Sequence, residues 1–344
     1  MKPLVTIIVP VYNAEKYIVR CAQSLFSQTF GAIEFVFVND ASTDKSVELL
    51  KQTLSQYPER KHQVTILEHT SNIGAAAARH SGILSSSSEY ILMIDADDYI
   101  DSEMVEELIQ IAVTEQVDIV VSDIYLEYGK KTVLYQNQIT DNKISNIQGL
   151  LTETTVSPSL CSKLIKRSLY LHEDCAHNKE LIYHEDKYLL LKILYISNTI
   201  SQISKAFYHY TQYNTASTTR EKKEKHFNSV LLFWKLTEEF FEEKKCIDDF
   251  RETINYSKVK QKAALLIATH NVDLRKKFAE IYNDIEKNHI KNLRFGEKIM
   301  LKLVRLKLFY LSQILHNLLL LKNKRAFFYN NKTYYLQSNN NYRA

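Results

Sequence analysis

Two aspartates separated by one residue, Asp95-Ala96-Asp97, with Asp98 directly behind them, are the side chains in this sequence best suited to chemistry. Carboxylates at that spacing, placed where a strand ends, aim at a single point. Their hard oxygens suit Mg²⁺ or Mn²⁺, which take few protein carboxylates and complete their shells with water and phosphate oxygens. The bland alternative is a solvated turn in which an aspartate caps a helix starting near Ser102. Three other polar clusters share the same setting, each directly after an apolar run. They are Pro10-Val11-Tyr12-Asn13-Ala14-Glu15, then Asn39-Asp40-Ala41-Ser42-Thr43-Asp44, then Asn72-Ile73-Gly74 leading to Arg79.

The elements that must position these clusters follow from the hydrophobic pattern. β-Branched or apolar runs at 4–9, 33–38, 64–67, 90–94 and 119–121 predict strands. Helical periodicity predicts helices at 14–28, 44–56, 75–84 and 102–114. Strand and helix alternating at roughly 30-residue spacing implies an α/β fold, a mostly parallel sheet flanked by helices. Ligands of such sheets bind beyond the carboxyl ends of the strands. Four consecutive strands here end in polar clusters, and that agreement favours a binding site over a solvated turn. Residues 126–160 read as irregular with a few edge strands, followed by a helix at 186–195 and a strand at 200–210. Three further helices are expected at 227–244, 254–270 and 272–287.

Composition narrows the chemistry. Of 344 residues only six are glycine, at 31, 74, 82, 129, 149 and 296, where average usage would supply roughly 24. Neither a G-x-G-x-x-G fingerprint nor a G-x-x-x-x-G-K phosphate loop can be built from them. Phosphates must therefore be held in another way, and a metal bridge on Asp95 and Asp97 supplies one. Cys21, Cys161, Cys175 and Cys246 are scattered, which suits a reducing compartment. The start, MKPLVTIIVPVYN, lacks an uninterrupted apolar stretch and a cleavage site, so no signal peptide is expected. No run of 18 uncharged apolar residues predicts a membrane span. The cluster His172-Glu173-Asp174-Cys175-Ala176-His177 does not have zinc-site spacing. The 22 tyrosines come without a basic–aromatic module, so no nucleic-acid partner is expected.

The four clusters together, P-V-Y-N-A-E, N-D-A-S-T-D, N-I-G-A-A-A-A-R and D-A-D-D-Y-I, resemble the family 2 glycosyltransferases of the GT-A fold over roughly residues 3–218. The resemblance implies a nucleotide-sugar site formed by Pro10, Tyr12, Asn13, Glu15, Asp40, Asn72, Arg79, Asp95 and Asp98. It also implies Mg²⁺ or Mn²⁺ on Asp97 and Asp95. Two E-D pairs compete as the family's catalytic carboxylates, Glu173-Asp174 and Glu185-Asp186. The second opens a helix pattern, as the family requires, so Asp186 is assigned as base with Glu185 as its neighbour. The implied reaction is transfer of a sugar, with inversion, from a nucleoside-diphosphate sugar to a hydroxyl of a glycan or lipid-linked glycan in surface polysaccharide synthesis. The chain departs from the family pattern at Asn39, often aspartate, at Ala41, often glycine, and after residue 210, where arginines are common. The alternative class is a non-catalytic nucleotide-sugar-binding subunit of a membrane-associated complex.

Domain boundaries are expected at 1–218 for the catalytic domain (1–125 for the donor half, 126–218 for the acceptor half), 219–325 for a helical region and 326–344 for a tail. Within residues 287–325 stand ten Lys or Arg and one acidic residue, leaving 34 basic against 39 acidic elsewhere. A basic amphipathic helix over 297–325, with Met300, Leu303, Val304, Leu308, Leu311, Ile314, Leu315 and Leu318 on one face, suits an anionic membrane surface. It equally suits packing against the protein or self-association. The expected location is cytoplasmic, peripheral on the membrane.

Overall fold

The first strand, β1 (Val5–Val11), is buried along nearly its whole length, because a central parallel strand has helices on both faces. The computed structural model describes residues 2–213, 224–269, 271–312, 314–315 and 318. It divides into two compact units, 1–217 and 218–344. In the first, β1 is joined by β2 (Ile33–Asn39), β3 (Val64–Glu68), β4 (Tyr90–Met93), β5 (Tyr99–Ile100), β6 (Ile119–Glu127), β7 (Thr132–Tyr135), β8 (Lys163–Lys166) and β9 (Ile200–Thr211). The sheet order is β3-β2-β1-β4-β8-β6-β9-β5, with β7 pairing on β6. β3, β2, β1 and β4 run parallel, whereas β8 is antiparallel to both its neighbours. Chain order reverses between β1 and β4, and such a switch point leaves a crevice at the strands' carboxyl ends.

The helices of this unit are α1 (Ile18–Phe26), α2 (Ser46–Leu54), α3 (Ala75–Ser85), α4 (Met104–Thr114), α5 (Lys143–Thr152), α6 (Arg167–Tyr170) and α7 (Glu185–Ile196). Two elements within or near the stretch expected to be irregular were not foreseen. α5 is too polar for a clear apolar period, yet it is capped by Asn142, whose side chain accepts from the Ser145 amide at 2.9 Å. β8 has only four residues, but it fills the centre of the sheet between β4 and β6.

The second unit contains α8 (Glu224–Glu243), α9 (Arg251–Ala268), α10 (Val272–Glu280), α11 (Asn283–His289) and α12 (Phe295–Arg305). The single helix expected over 272–287 breaks at Tyr282, whose φ is +58°. Buried Lys262 of α9 takes up the carbonyls released there, donating to Ala279 at 3.2 Å and to Ile281 at 2.8 Å. The helix expected over 297–325 is likewise interrupted. Lys307 adopts φ +58°, and the Lys307 and Leu308 amides fold back to the Val304 and Leu303 carbonyls at 2.9 Å each, which closes a helix end. Met300, Leu301 and Val304 enter the core of this unit, while Leu308, Leu311, Ile314 and Leu318 are exposed. The predicted continuous face is thus divided. Residues 319–325 and the expected tail, 326–344, lie outside the described residues. Among the described residues no helix is long and apolar enough to cross a membrane.

One glycine is required by the packing. Gly82 lies on α3 against β1, and a Cβ there would collide with the buried Ile8 side chain. Gly82→Ala should therefore destabilise the protein by about 1–3 kcal/mol through overpacking. A denaturant midpoint equal to that of the unsubstituted protein would show that β1 and α3 can separate without cost.

Candidate active site

The crevice is assembled from loops that hold one another in place. Asn13 follows β1 at φ +48° and accepts from the Thr43 amide at 2.9 Å, while the Asn13 amide donates to Ser42 Oγ at 3.2 Å. Glu15 accepts from the Lys45 amide at 3.3 Å, and its own amide donates to Asp44 at 3.0 Å. Both residues lash the β1 loop to the β2 loop. Tyr12, just before Asn13, is half exposed, Asn72 is exposed, and Pro10 is partly covered within β1.

Asp40 is buried, and its carboxylate faces the protein. It accepts from the amides of Ile73 at 3.0 Å and Gly74 at 2.8 Å, and pairs with His69 Nδ1 at 2.8 Å. It therefore fixes the entry to α3 at Gly74, whose φ of +95° suits glycine. Asn39 beside it donates through its side-chain amide to Glu68. An aspartate in its place would oppose two carboxylates, which explains this departure from the family pattern. Ala41 takes φ +58° where the family often has glycine.

α3 carries Arg79 to the centre of the site. Its Nη2 donates to Asp95 Oδ1 at 2.8 Å, its Nη1 to Asp186 Oδ1 at 2.9 Å, and Glu185 lies 3.8 Å away. The strand-end aspartate and the helix-opening carboxylate, 91 residues apart in sequence, thus meet on one guanidinium. Arg79 is nearly buried, whereas Asp95, Glu185 and Asp186 each keep about a quarter of their side-chain surface exposed. Burial opposes its charge, but Asp186 and Asp95 outweigh this and hold the guanidinium firmly protonated.

Asp98 corrects the expectation placed on it. Its side chain is fully buried, accepting from Tyr208 Oη at 2.5 Å and from the Thr211 amide at 2.7 Å. It ties the turn to β9 and does not line the crevice. Burial, then the charges of Asp97 and Asp95, push its carboxyl far above the ordinary range, so it resists ionisation. Asp95 and Asp97 remain as two hard-oxygen donors at one strand end, and among the described residues no group of three or more His, Cys, Asp or Glu forms a protein-only metal cage. Such a donor set fits a cation whose other ligands are diphosphate oxygens and water. His172 and Asp174 of the rival E-D pair contact each other within their own loop.

Beside Glu185 an opening of about 380 Å³ is lined by Gly74, Ala75, Ala77, His177, Lys179 and Ile182. Sequence reasoning missed Tyr208, Thr211, His69 and Lys163, which support the charged centre from behind.

Known proteins resemble this chain in sequence and in fold. Residues 6–173 match the family described as Glycosyl transferase family 2. Over those residues the chain is similar to the family 2 glycosyltransferases. Glycosyltransferase GlyA of Streptococcus pneumoniae is 33% identical over 217 residues, 60% of this chain but only 30% of GlyA. Putative glycosyltransferase EpsH of Bacillus subtilis is 27% identical, covering 74% of this chain and 73% of EpsH. Among solved structures, Staphylococcus aureus TarS residues 1–349 in complex with UDP superposes with a TM-score of 0.65 at 20% identity, covering 92% of this chain and 90% of that one. The likeness shows the fold: the chain has the GT-A architecture, with a helical C-terminal region.

The Glu185-Asp186 pair has a measurable signature. Burial and the neighbouring Asp186 charge raise the Glu185 carboxyl to about 7. The folded state therefore binds a proton between the ordinary glutamate range and pH 7 that the unfolded state has released. Ionising Glu185 at higher pH costs stability, and that cost disappears on acidification. Glu185→Gln should thus be more stable than the unsubstituted protein at pH 8, by about 1–3 kcal/mol. Unfolding titrations should show the gap closing towards pH 5. A gap independent of pH would contradict this assignment.

Proposed function

We propose that the chain transfers a sugar, with inversion, from a nucleoside-diphosphate sugar to a hydroxyl of a glycan or lipid-linked glycan in surface polysaccharide synthesis. One observation carries this reading: Arg79 gathers Asp95 and Asp186 to within hydrogen-bond distance of a single guanidinium. A donor diphosphate held at Asp95 and Asp97 would put its sugar close to a helix-borne carboxylate. Poly(ribitol-phosphate) β-N-acetylglucosaminyltransferase TarS, a relative by sequence and by fold, supports a surface glycopolymer acceptor.

In this reading Tyr12 stacks on the nucleotide base at the mouth of the crevice, with Asn72 beside it. Asn13, Glu15 and Asp40 act through the loops they brace. Asp95 and Asp97 would hold Mg²⁺ or Mn²⁺, which when bound neutralises charge on the departing diphosphate. Asp186 accepts the acceptor's hydroxyl proton as that oxygen attacks the anomeric carbon from the face opposite the leaving group. Burial raises the Asp186 carboxyl above the usual aspartate range, while Arg79 and Lys163 hold it down. The outcome is a stronger base than a surface aspartate, and Glu185 beside it is raised too, to about 7.

The test is sugar transfer with Mn²⁺, a panel of nucleotide sugars and an acceptor extract. Asp186→Asn should lower turnover by at least about a hundredfold while leaving donor binding intact, as expected on removing a general base. Metal-dependent donor binding with no transfer by either protein would instead favour the non-catalytic subunit.

The exposed Leu308, Tyr310, Leu311, Ile314 and Leu318 supply a second element of the proposal, a peripheral contact with the cytoplasmic face of the membrane. Lys302, Arg305 and Lys307 are exposed in the same segment and would face anionic headgroups. Because α12 is core to its own unit, the informative variant is full-length protein carrying Leu311→Glu and Ile314→Glu. Flotation with phosphatidylglycerol vesicles should show reduced binding. Equal binding by both proteins would remove the membrane contact from the proposal.

A further inference from the structure

Arg20 on α1 lies outside every motif discussed above, yet it reaches the turn that carries Asp97. Its Nη2 donates to the Asp97 carbonyl at 2.8 Å and to Thr211 Oγ1 at 2.8 Å. Thr211 Oγ1 donates to the same carbonyl at 2.7 Å. Nη1 donates to Tyr213 Oη at 2.5 Å, and the guanidinium carbon sits 4.3 Å from the centre of the Tyr99 ring. Tyr99 in turn stacks on His209 at 4.2 Å, and His209 pairs with Glu127 at 2.8 Å and Asp101 at 3.1 Å.

Each aspartate of the D-A-D-D turn thus has its own anchor. Asp95 is held through its carboxylate by Arg79, and Asp98 through its carboxylate by Tyr208 and Thr211. The Asp97 carbonyl accepts from Arg20 and Thr211, so the peptide that carries its side chain is fixed from behind. A planar fork that donates to several fixed acceptors while resting on an aromatic face restrains that peptide more tightly than a single ammonium would.

We propose that Arg20 is a positioning residue for Asp97, setting the aim of that carboxylate towards a divalent cation bound together with a nucleoside diphosphate. The inference rests on Asp95 and Asp97 forming the metal site of the function proposed above. Arg20 touches neither metal nor donor. It acts through the Asp97 peptide.

Titration calorimetry on the full chain separates the two ideas, with UDP and GDP as probes and Mn²⁺ varied. The parent protein should bind one of these nucleotides more tightly as Mn²⁺ is added, and Asp97→Asn should abolish that dependence. Arg20→Met should keep the melting temperature and metal-free nucleotide affinity of the parent but require about tenfold more Mn²⁺ for the same gain, the scale of a lost charge-assisted hydrogen bond. Arg20→Lys, which keeps the charge without the fork, should fall between them. If Arg20→Met does not fold, Arg20→Lys carries the test alone, and an Mn²⁺ requirement equal to the parent's overturns the proposal. Absence of any Mn²⁺ effect in the parent protein would overturn the metal site itself, and this inference with it.

Discussion

Arg79 sits among carboxylates that repel one another, and the site depends on how that guanidinium is placed. Two like charges about 4 Å apart near a protein surface oppose each other by about 4 kcal/mol. Asp95, Glu185 and Asp186 come from a strand end and a helix start on separate segments, and nothing in their own elements would hold them together. A buried, permanently charged fork that donates separately to Asp95 and Asp186 offsets that repulsion. Lysine could not replace it geometrically, since a point charge lacks the two divergent donors. The cost of burying Arg79 is in turn offset only while both carboxylates stay ionised and close.

The position of Arg79 is inherited from residues that do no chemistry. Asp40 uses its carboxylate to pin the Ile73 and Gly74 amides, which fixes where α3 begins. Gly82, one turn after Arg79, lets α3 lie close against Ile8 of β1. Positioning therefore passes from the β2 loop, through α3, to the paired aspartates. Asp98 plays the equivalent part on the other side, joining the strand-end turn to β9 through Tyr208 and Thr211. Ala41 shows that such loops tolerate strain: an alanine at φ +58° costs about 1–2 kcal/mol, and the braced loop retains it.

Proton distribution follows from the same packing. Five carboxyls, Asp95, Asp97, Asp98, Glu185 and Asp186, crowd the site, and burial opposes the charge of each. Burial drives Asp186, Asp98 and Glu185 all upward, and at Asp186 the cations Arg79 and Lys163 oppose the rise. The protonation of the site is therefore set by depth and pairing rather than residue type.

The parallel strands, their polar ends and the helix-opening Glu185-Asp186 were legible because each is a local pattern: β-branched runs, turn residues and a 3.6-residue period. β8, α5 and the breaks at Tyr282 and Lys307 were not, since four-residue strands, polar helices and left-handed closures leave little periodic trace. Residue identity by itself determined which oxygens and guanidinium groups are available and near which strand ends they lie. Only the tertiary structure decided which of those aspartates face the crevice. It turned Asp98 and Asp40 inward, brought Asp186 onto Arg79, and placed Arg20 behind Asp97. The physical reason is that burial and pairing depend on distances between segments far apart in the chain, and no local spacing encodes them.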